Sequence, residues 1–147
     1  MAALEMLSAK LPVADGGTEW SRVSEGKWMR RLIPELREWI DKEHGEINYF
    51  LAQFITGHGC FTHYLNQFEI RETDGCWYCR RRDDAEHTFF ECDKWREQRM
   101  RVEKELERAI TPDNVIRIML DNDKNWGLVE GWIVGVIKRK ERDERAG

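Results

Sequence analysis

The stretch CWYCRRRDDAEHTFFEC, from Cys76 to Cys92, constrains this chain more than any other. Three of the four cysteines fall inside it, and a histidine completes the pattern Cys-x2-Cys-x7-His-x4-Cys (Cys76, Cys79, His87, Cys92). Two thiolates three positions apart can reach one metal ion from a tight turn, and a His and a Cys farther along can close a tetrahedron around it. That donor set suits a structural Zn²⁺. All four coordination positions are taken, so the expected role of the ion is to fold the chain and not to perform chemistry. Two plainer readings stand beside it. Cys79 and Cys92 can be small buried hydrophobes with His87 at a helix start, or Cys76 and Cys79 can be a redox pair. No βαβ pattern surrounds the pair, which counts against redox chemistry.

A chain of 147 residues suits one domain with a real core. A net charge of −4 argues against tight free-standing nucleic-acid binding, which Lys and Arg drive by releasing counterions from phosphates. Any such contact must use local basic patches. The thiols read as reduced and metal-bound, and the opening MAALEMLSAKLP lacks a signal-peptide core. No stretch nears the roughly 18–20 apolar residues of a membrane span. A soluble nuclear or cytoplasmic location, not a secreted one, is expected, with no membrane partner and no small-molecule substrate.

Helical periodicity dominates, so the expected fold is mostly α: a small helical domain with one embedded zinc knuckle and at most a short β-hairpin around Cys76–Arg82. Residues 1–26 read as a flexible lead, with a short helical turn over 1–10 and a connector from Pro12 through Asp15-Gly16-Gly17-Thr18. Residues 27–147 read as a single domain made of a helical segment (27–70), the knuckle (75–93) and C-terminal helices (94–147). Trp20 to Trp28 suggests a loop carrying two aromatic anchors. Leu32, Leu36, Trp39, Ile40 and Glu43 then predict one helix with Pro34 in its first turn and Gly45 at its end. Ile47, Phe50, Leu51, Phe54 and Ile55 predict a second, closed by Gly57 and Gly59, and Phe61, Tyr64, Leu65 and Phe68 a third. Thr73-Asp74-Gly75 is a turn that presents Cys76. Trp95, Arg99, Val102, Leu106 and Ile110 share a face after the knuckle. Thr111-Pro112-Asp113 reads as an N-cap with Pro at the first helical position, followed by Val115, Ile116, Met119 and Leu120. Asp121-Asn122-Asp123 breaks the chain. Trp126, Val129, Trp132, Ile133, Val136 and Ile137 mark a last helix that frays into KRKERDERAG.

Among other candidates, Arg80, Arg81, Arg82, Lys94 and Arg96 are placed to meet phosphates, with Trp77 and Tyr78 beside them for base stacking; Arg99, Arg101 and Lys104 continue the basic run. Acidic neighbours (Asp83, Asp84, Glu86, Glu91, Asp93) leave a merely solvated face open, and Arg99 falls on the apolar stripe where it can pair inside. Asp83-Asp84 lacks a nucleophile or open metal for acid–base work and reads as a solvated loop. Thr56-Gly57-His58-Gly59 reads as a helix C-terminus, His58 facing nucleic acid being the alternative. Cys60 with His58 and His63 lacks a fourth ligand and reads as a buried free cysteine.

The segments RRLIPELREWIDKEHGEINYFLAQFITGHGCFTHYL and CWYCRRRDDAEHTFFECDKWREQR resemble the C-terminal region of non-LTR (LINE-type) retrotransposon reverse transcriptases of the jockey-like group. The likeness rests on Arg31-Leu32-Ile33-Pro34, Trp39, Thr56-Gly57-His58-Gly59 with Phe61 and Tyr64-Leu65, the knuckle with Asp84-Ala85-Glu86-His87, and Trp95 with Arg99, and runs from about Trp20 to the end. The resemblance implies a zinc-knuckle tail that binds element RNA or target DNA during target-primed reverse transcription and works with a parent reverse transcriptase domain, an RNA-directed DNA polymerase. No Tyr/Phe-x-Asp-Asp dyad and no ribonuclease H carboxylate set is present. The chain is therefore expected to be a truncated or domesticated, non-enzymatic piece. A zinc-stapled structural or protein-docking module without nucleic-acid contact is the alternative.

Overall fold

The computed structural model describes residues 26–61 and 75–146. The readings made over 1–10, Pro12, 15–18 and Trp20, and on His63, Tyr64, Leu65, Phe68, Thr73 and Asp74, lie outside the described residues. Among the described residues six α-helices form: α1 (Lys27–Leu32), α2 (Leu36–Ile40), α3 (Tyr49–Thr56), α4 (Arg96–Leu106), α5 (Val115–Asp121) and α6 (Asp123–Ala146). A π-helical turn (His87–Glu91) and a 3₁₀ turn (Asp93–Trp95) lead into α4. The fold is a small, mostly helical domain. The hairpin expected around Cys76–Arg82 is reduced to a single antiparallel bridge between Gly75 and Arg82, with no strand among the described residues.

The helix expected from Leu32 onward is two short ones. Ile33 sits at φ −124°, ψ 74°, outside the helical region. Pro34 follows it, and a proline's ring crowds the preceding residue out of α geometry. Helix α1 begins earlier than the periodicity suggests and carries Trp28, whose indole N–H donates to the Phe54 carbonyl at 2.8 Å. Ile40 is 51 % exposed and lies off the buried stripe. Helix α2 ends at Ile40, with Asp41 as its C-cap, short of Gly45. Gly45 has another task. At φ +88° it adopts a conformation that favours glycine, and a Cβ there would lie 2.3 Å from the Trp126 ring. Asn48 caps α3, its side chain accepting from Leu51 N–H, and Gly57 closes it at φ +73° as expected.

The long helix α6 organises the rest. Twenty-four residues span about 36 Å. Trp126, Val129, Trp132, Ile133, Val136 and Ile137 are all buried, as the periodicity predicts. The apolar residues on both sides of the knuckle meet in one core. Its centre is aromatic: Phe54 meets Phe89 edge-on at 4.8 Å, Phe89 meets Trp132 at 5.3 Å, and Trp39 stacks on Trp126 at 5.7 Å. Tryptophan is thus used mainly as packing.

The expected fraying of the C-terminal end is not observed. Lys140 is fully buried and its ammonium donates to Asp83 at 2.8 Å and to Glu144. Gln53 donates to Glu141 at 3.2 Å, and the Tyr78 hydroxyl donates to Asp143 at 3.0 Å. Charge alone suggested a solvated tail; partners from α3 and the knuckle hold it instead.

Candidate metal centre

Cys76 and Cys79 sit on a turn closed by Arg80 N–H donating to the Cys76 carbonyl at 2.9 Å. The turn reverses at Arg80, which takes φ +68°, and the Cys76 N–H then donates to the Arg81 carbonyl. The Tyr78 N–H points at the Cys76 sulfur at 3.4 Å, a contact that favours a thiolate. The other two donors come from the π-helical turn. In an α-helix, residues five apart are rotated by about 140° from each other. Here the Cys92 N–H donates to the His87 carbonyl at 2.7 Å, an i→i+5 bond that widens the turn and brings His87 and Cys92 to one side. The His-x4-Cys spacing works through this bulge. Asp84 fixes the start of the segment, its side chain accepting from the His87 N–H at 2.8 Å.

The three sulfurs and one imidazole nitrogen all lie within 4.8 Å of one another. Cys76 and Cys92 Sγ are 3.9 Å apart, and Cys79 Sγ is 3.0 Å from His87 Nε2. A tetrahedron with metal–sulfur bonds of about 2.3 Å has sulfur–sulfur edges of about 3.8 Å, so the cluster has the dimensions of one four-coordinate ion. Cys76, His87 and Cys92 are buried and Cys79 is exposed. His87 Nδ1 is buried without a hydrogen-bond partner, 3.7 Å from the Glu91 carboxylate, which is the direction a carboxylate orients a metal-bound imidazole. Burial raises the Cys76 thiol above its ordinary value and pushes Cys92, with Cys76 and Cys79 beside it, up to about 12. Both stay neutral until a cation displaces their protons. The four residues are chemically fit to hold a metal ion, and no other such cluster occurs among the described residues.

Around the centre, Trp77 is 58 % exposed, and Arg80, Arg81, Arg82, Lys94 and Arg96 are exposed. Arg82 approaches Asp84 at 3.6 Å. Tyr78 departs from the sequence reading. Its ring packs edge-on against Trp95 at 5.3 Å and its hydroxyl is bound to Asp143, so it anchors the loop and does not present a free stacking face. Lys94 lies over the Tyr78 and Trp95 rings at 5.2 and 5.7 Å. Arg99 pairs inside, donating to the Phe89 carbonyl at 3.1 Å.

Asp83 corrects another expectation: it is fully buried, accepting from the Thr88 hydroxyl at 3.0 Å and from Lys140. Sequence reasoning missed this network because its partners are far apart in the chain; the one signal was an aspartate followed five residues later by Thr88 inside an apolar run. Cys60 is buried, with its thiol pKa raised by burial, and His58 is half-buried with its pKa lowered by burial.

No helix among the described residues is long and apolar enough to cross a membrane. No protein-family model matches the chain, and no solved structure matches it. Over 72 residues, 48 % of its length, the chain is 34 % identical to the Retrovirus-related Pol polyprotein from type-1 retrotransposable element R1 of Popillia japonica. The match covers 29 % of that protein, under a third of its length.

Proposed function

We propose that this chain is the zinc-knuckle region of a retrotransposon Pol-type polyprotein, corresponding to its C-terminal tail, and that it binds element RNA or target DNA in target-primed reverse transcription. Zn²⁺ is the ion that three thiolates and one imidazole select, and Cys76, Cys79, His87 and Cys92 are its ligands. The observation that carries the reading is the convergence of those four donors beneath a loop bearing Trp77 and the Arg80–Arg82 run. The ion supplies fold, not chemistry. Residues 27–147 act as one unit, in the nucleus or cytoplasm, alongside a reverse transcriptase domain. Arg80, Arg81, Arg82, Lys94 and Arg96 meet phosphates and Trp77 stacks on a base.

Two measurements test this. Purified protein is expected to carry one Zn²⁺, and Co²⁺ substitution to give the intense absorption of tetrahedral thiolate ligation. Fluorescence anisotropy at low salt is expected to show binding to single-stranded RNA or DNA that weakens in R80A/R81A/R82A. Metal content of zero sinks the centre; binding unaltered by the triple substitution sinks the interface.

A second reading, a zinc staple that docks on protein and touches no nucleic acid, is favoured by the anchoring of the knuckle to α6 through Asp83–Lys140 and Tyr78–Asp143. Retained zinc with no binding to either nucleic acid would select it.

A further inference from the structure

On the side of α6 turned away from the knuckle lies a surface cleft of about 610 Å³, walled by Phe50, Gly135, Lys138, Arg139, Glu141 and Arg142. We infer that this cleft is a second contact for a single nucleic-acid strand, its phosphates held by Lys138, Arg139 and Arg142 and a base laid against Phe50. The inference rests on the nucleic-acid reading above and extends it to a surface that reading does not use.

At about 100° per residue, Lys138 and Arg142 fall roughly opposite Lys140, which faces Asp83 in the knuckle. The helix therefore gives one side of its last turns to the knuckle and the other to solvent. Lys138, Arg139 and Arg142 are all exposed, and none forms an ion pair with a described residue. One carboxylate, Glu141, also lines the cleft and accepts from Gln53 at 3.2 Å, so the lining carries three cations against one anion. Three exposed cations against one carboxylate in this lining, in a chain of net charge −4, are a local excess of positive charge against the general trend. Opposite charge is the complement such a patch selects.

The aromatic wall decides which polyanion. Lys138 Nζ lies 5.4 Å from the Phe50 ring centroid, and Phe50 meets Tyr49 edge-on at 5.3 Å, with Tyr49 53 % exposed. Lys138 thus lies over the half-buried Phe50 ring, and the exposed Tyr49 at its edge extends the aromatic rim on which a base can rest beside its own phosphate. Gly135 brings no side chain into this space, and a Cβ built there meets nothing within 4 Å, so the strand can approach the helix backbone closely.

The test compares wild type with K138Q/R139Q/R142Q in anisotropy titrations of a labelled 20-nucleotide single strand at several salt concentrations. All three side chains are exposed on a helix, so the fold survives, as far-UV circular dichroism and zinc content verify. Each phosphate contact releases about 0.7 counterion from single strands. Loss of three contacts is expected to flatten the log–log salt slope by about 2, which is about a 100-fold loss at 0.1 M salt. F50L is expected to weaken binding with the slope unchanged. An unaltered slope in the triple variant, with wild-type binding still lost in R80A/R81A/R82A, overturns the cleft and leaves the knuckle interface standing. Absence of wild-type binding overturns both. Binding lost to phosphatidylserine vesicles but not to the strand overturns the choice of nucleic acid.

Discussion

Lys140→Met is the substitution that most sharply tests how the knuckle is held. Lys140 and Asp83 have essentially no exposed side-chain surface, and their charged atoms are 2.8 Å apart. At an effective dielectric of about 20 the attraction at that distance is about 6 kcal/mol, set against a desolvation penalty of several kcal/mol per ion. The pair's net worth is therefore small. Breaking it is not, because Asp83 would be left charged and buried without the cation that balances it, the Thr88 hydroxyl being a neutral donor. That costs about 3–5 kcal/mol, a large share of a domain stability of about 5–15 kcal/mol. Asp83→Asn in the same chain removes the stranded charge while keeping an oxygen for Thr88, so D83N/K140M is expected to regain at least half of the loss. Urea unfolding of the zinc-loaded proteins measures this, provided the m values agree. A single variant within about 0.5 kcal/mol of wild type, or a double variant no better than the single, refutes the reasoning. The pair also has a pH signature. Burial alone would lower the Lys140 pKa, but the charges of Asp83 and Glu144 outweigh it and hold the value above the ordinary 10.5. A raised folded value means the stabilisation is fully present below pH 10.5 and is lost as pH climbs through the folded pKa. The wild-type midpoint is expected to carry an alkaline loss beyond pH 10.5 that K140M lacks.

Cys76→Ser and His87→Ala are each expected to abolish tight zinc retention and to collapse amide-exchange protection between Cys76 and Cys92, while helical dichroism falls only in part because α3, α5 and α6 pack on one another; zinc content equal to wild type in both would show the ligands misassigned. Because burial holds the Cys76 and Cys92 thiols protonated, zinc uptake is expected to release protons, so apparent affinity from chelator competition rises steeply between pH 6 and 8; a flat profile would contradict thiol ligation. Gly45→Ala places a Cβ against Trp126 in a left-handed backbone and is expected to cost about 1–3 kcal/mol in the same urea assay, whereas Gly131→Ala on the open face of α6 is expected to be neutral or slightly stabilising.

The donor set and the helical class were legible because both are local. Ligand types at fixed spacing, and apolar residues at steps of three and four, need no knowledge of distant partners. Trp126 through Ile137 illustrate this, as does the Gly57 cap. What escaped was non-local or sub-helical. Pro34 was readable as a first-turn proline, but its pressure on Ile33 divides the helix instead. The KRKERDERAG segment looked solvated because a charged run carries no mark of its partners; Asp83 lies 57 positions from Lys140 and Tyr78 lies 65 positions from Asp143. The π-helical turn has no residue signature of its own. Only the requirement that His87 and Cys92 meet one ion, five positions apart, implies it.

The two features that sequence reasoning missed together explain how such a loop can serve a binding role. A turn held only by a metal would carry Trp77 and Arg80–Arg82 on a single tether, free to rotate about the ligands. Here the loop between Cys79 and His87 is fixed a second time through Asp83, and the turn between Cys76 and Cys79 is fixed through Tyr78, both onto α6. Two attachments on one rigid helix set the orientation of the basic loop relative to the Lys138–Arg142 face, about one helix diameter, 10–12 Å, away. A strand that reached both would bend around the end of α6, with less ordering entropy lost on binding than at two independently mobile patches. The rigidity that K140M removes is thus the same rigidity that would make the two basic surfaces act as one. Under the nucleic-acid reading, D83N/K140M is expected to bind a long strand more weakly than wild type while binding a five-nucleotide strand, too short to span both surfaces, with unchanged affinity. Equal weakening of both lengths would place the effect in the knuckle alone.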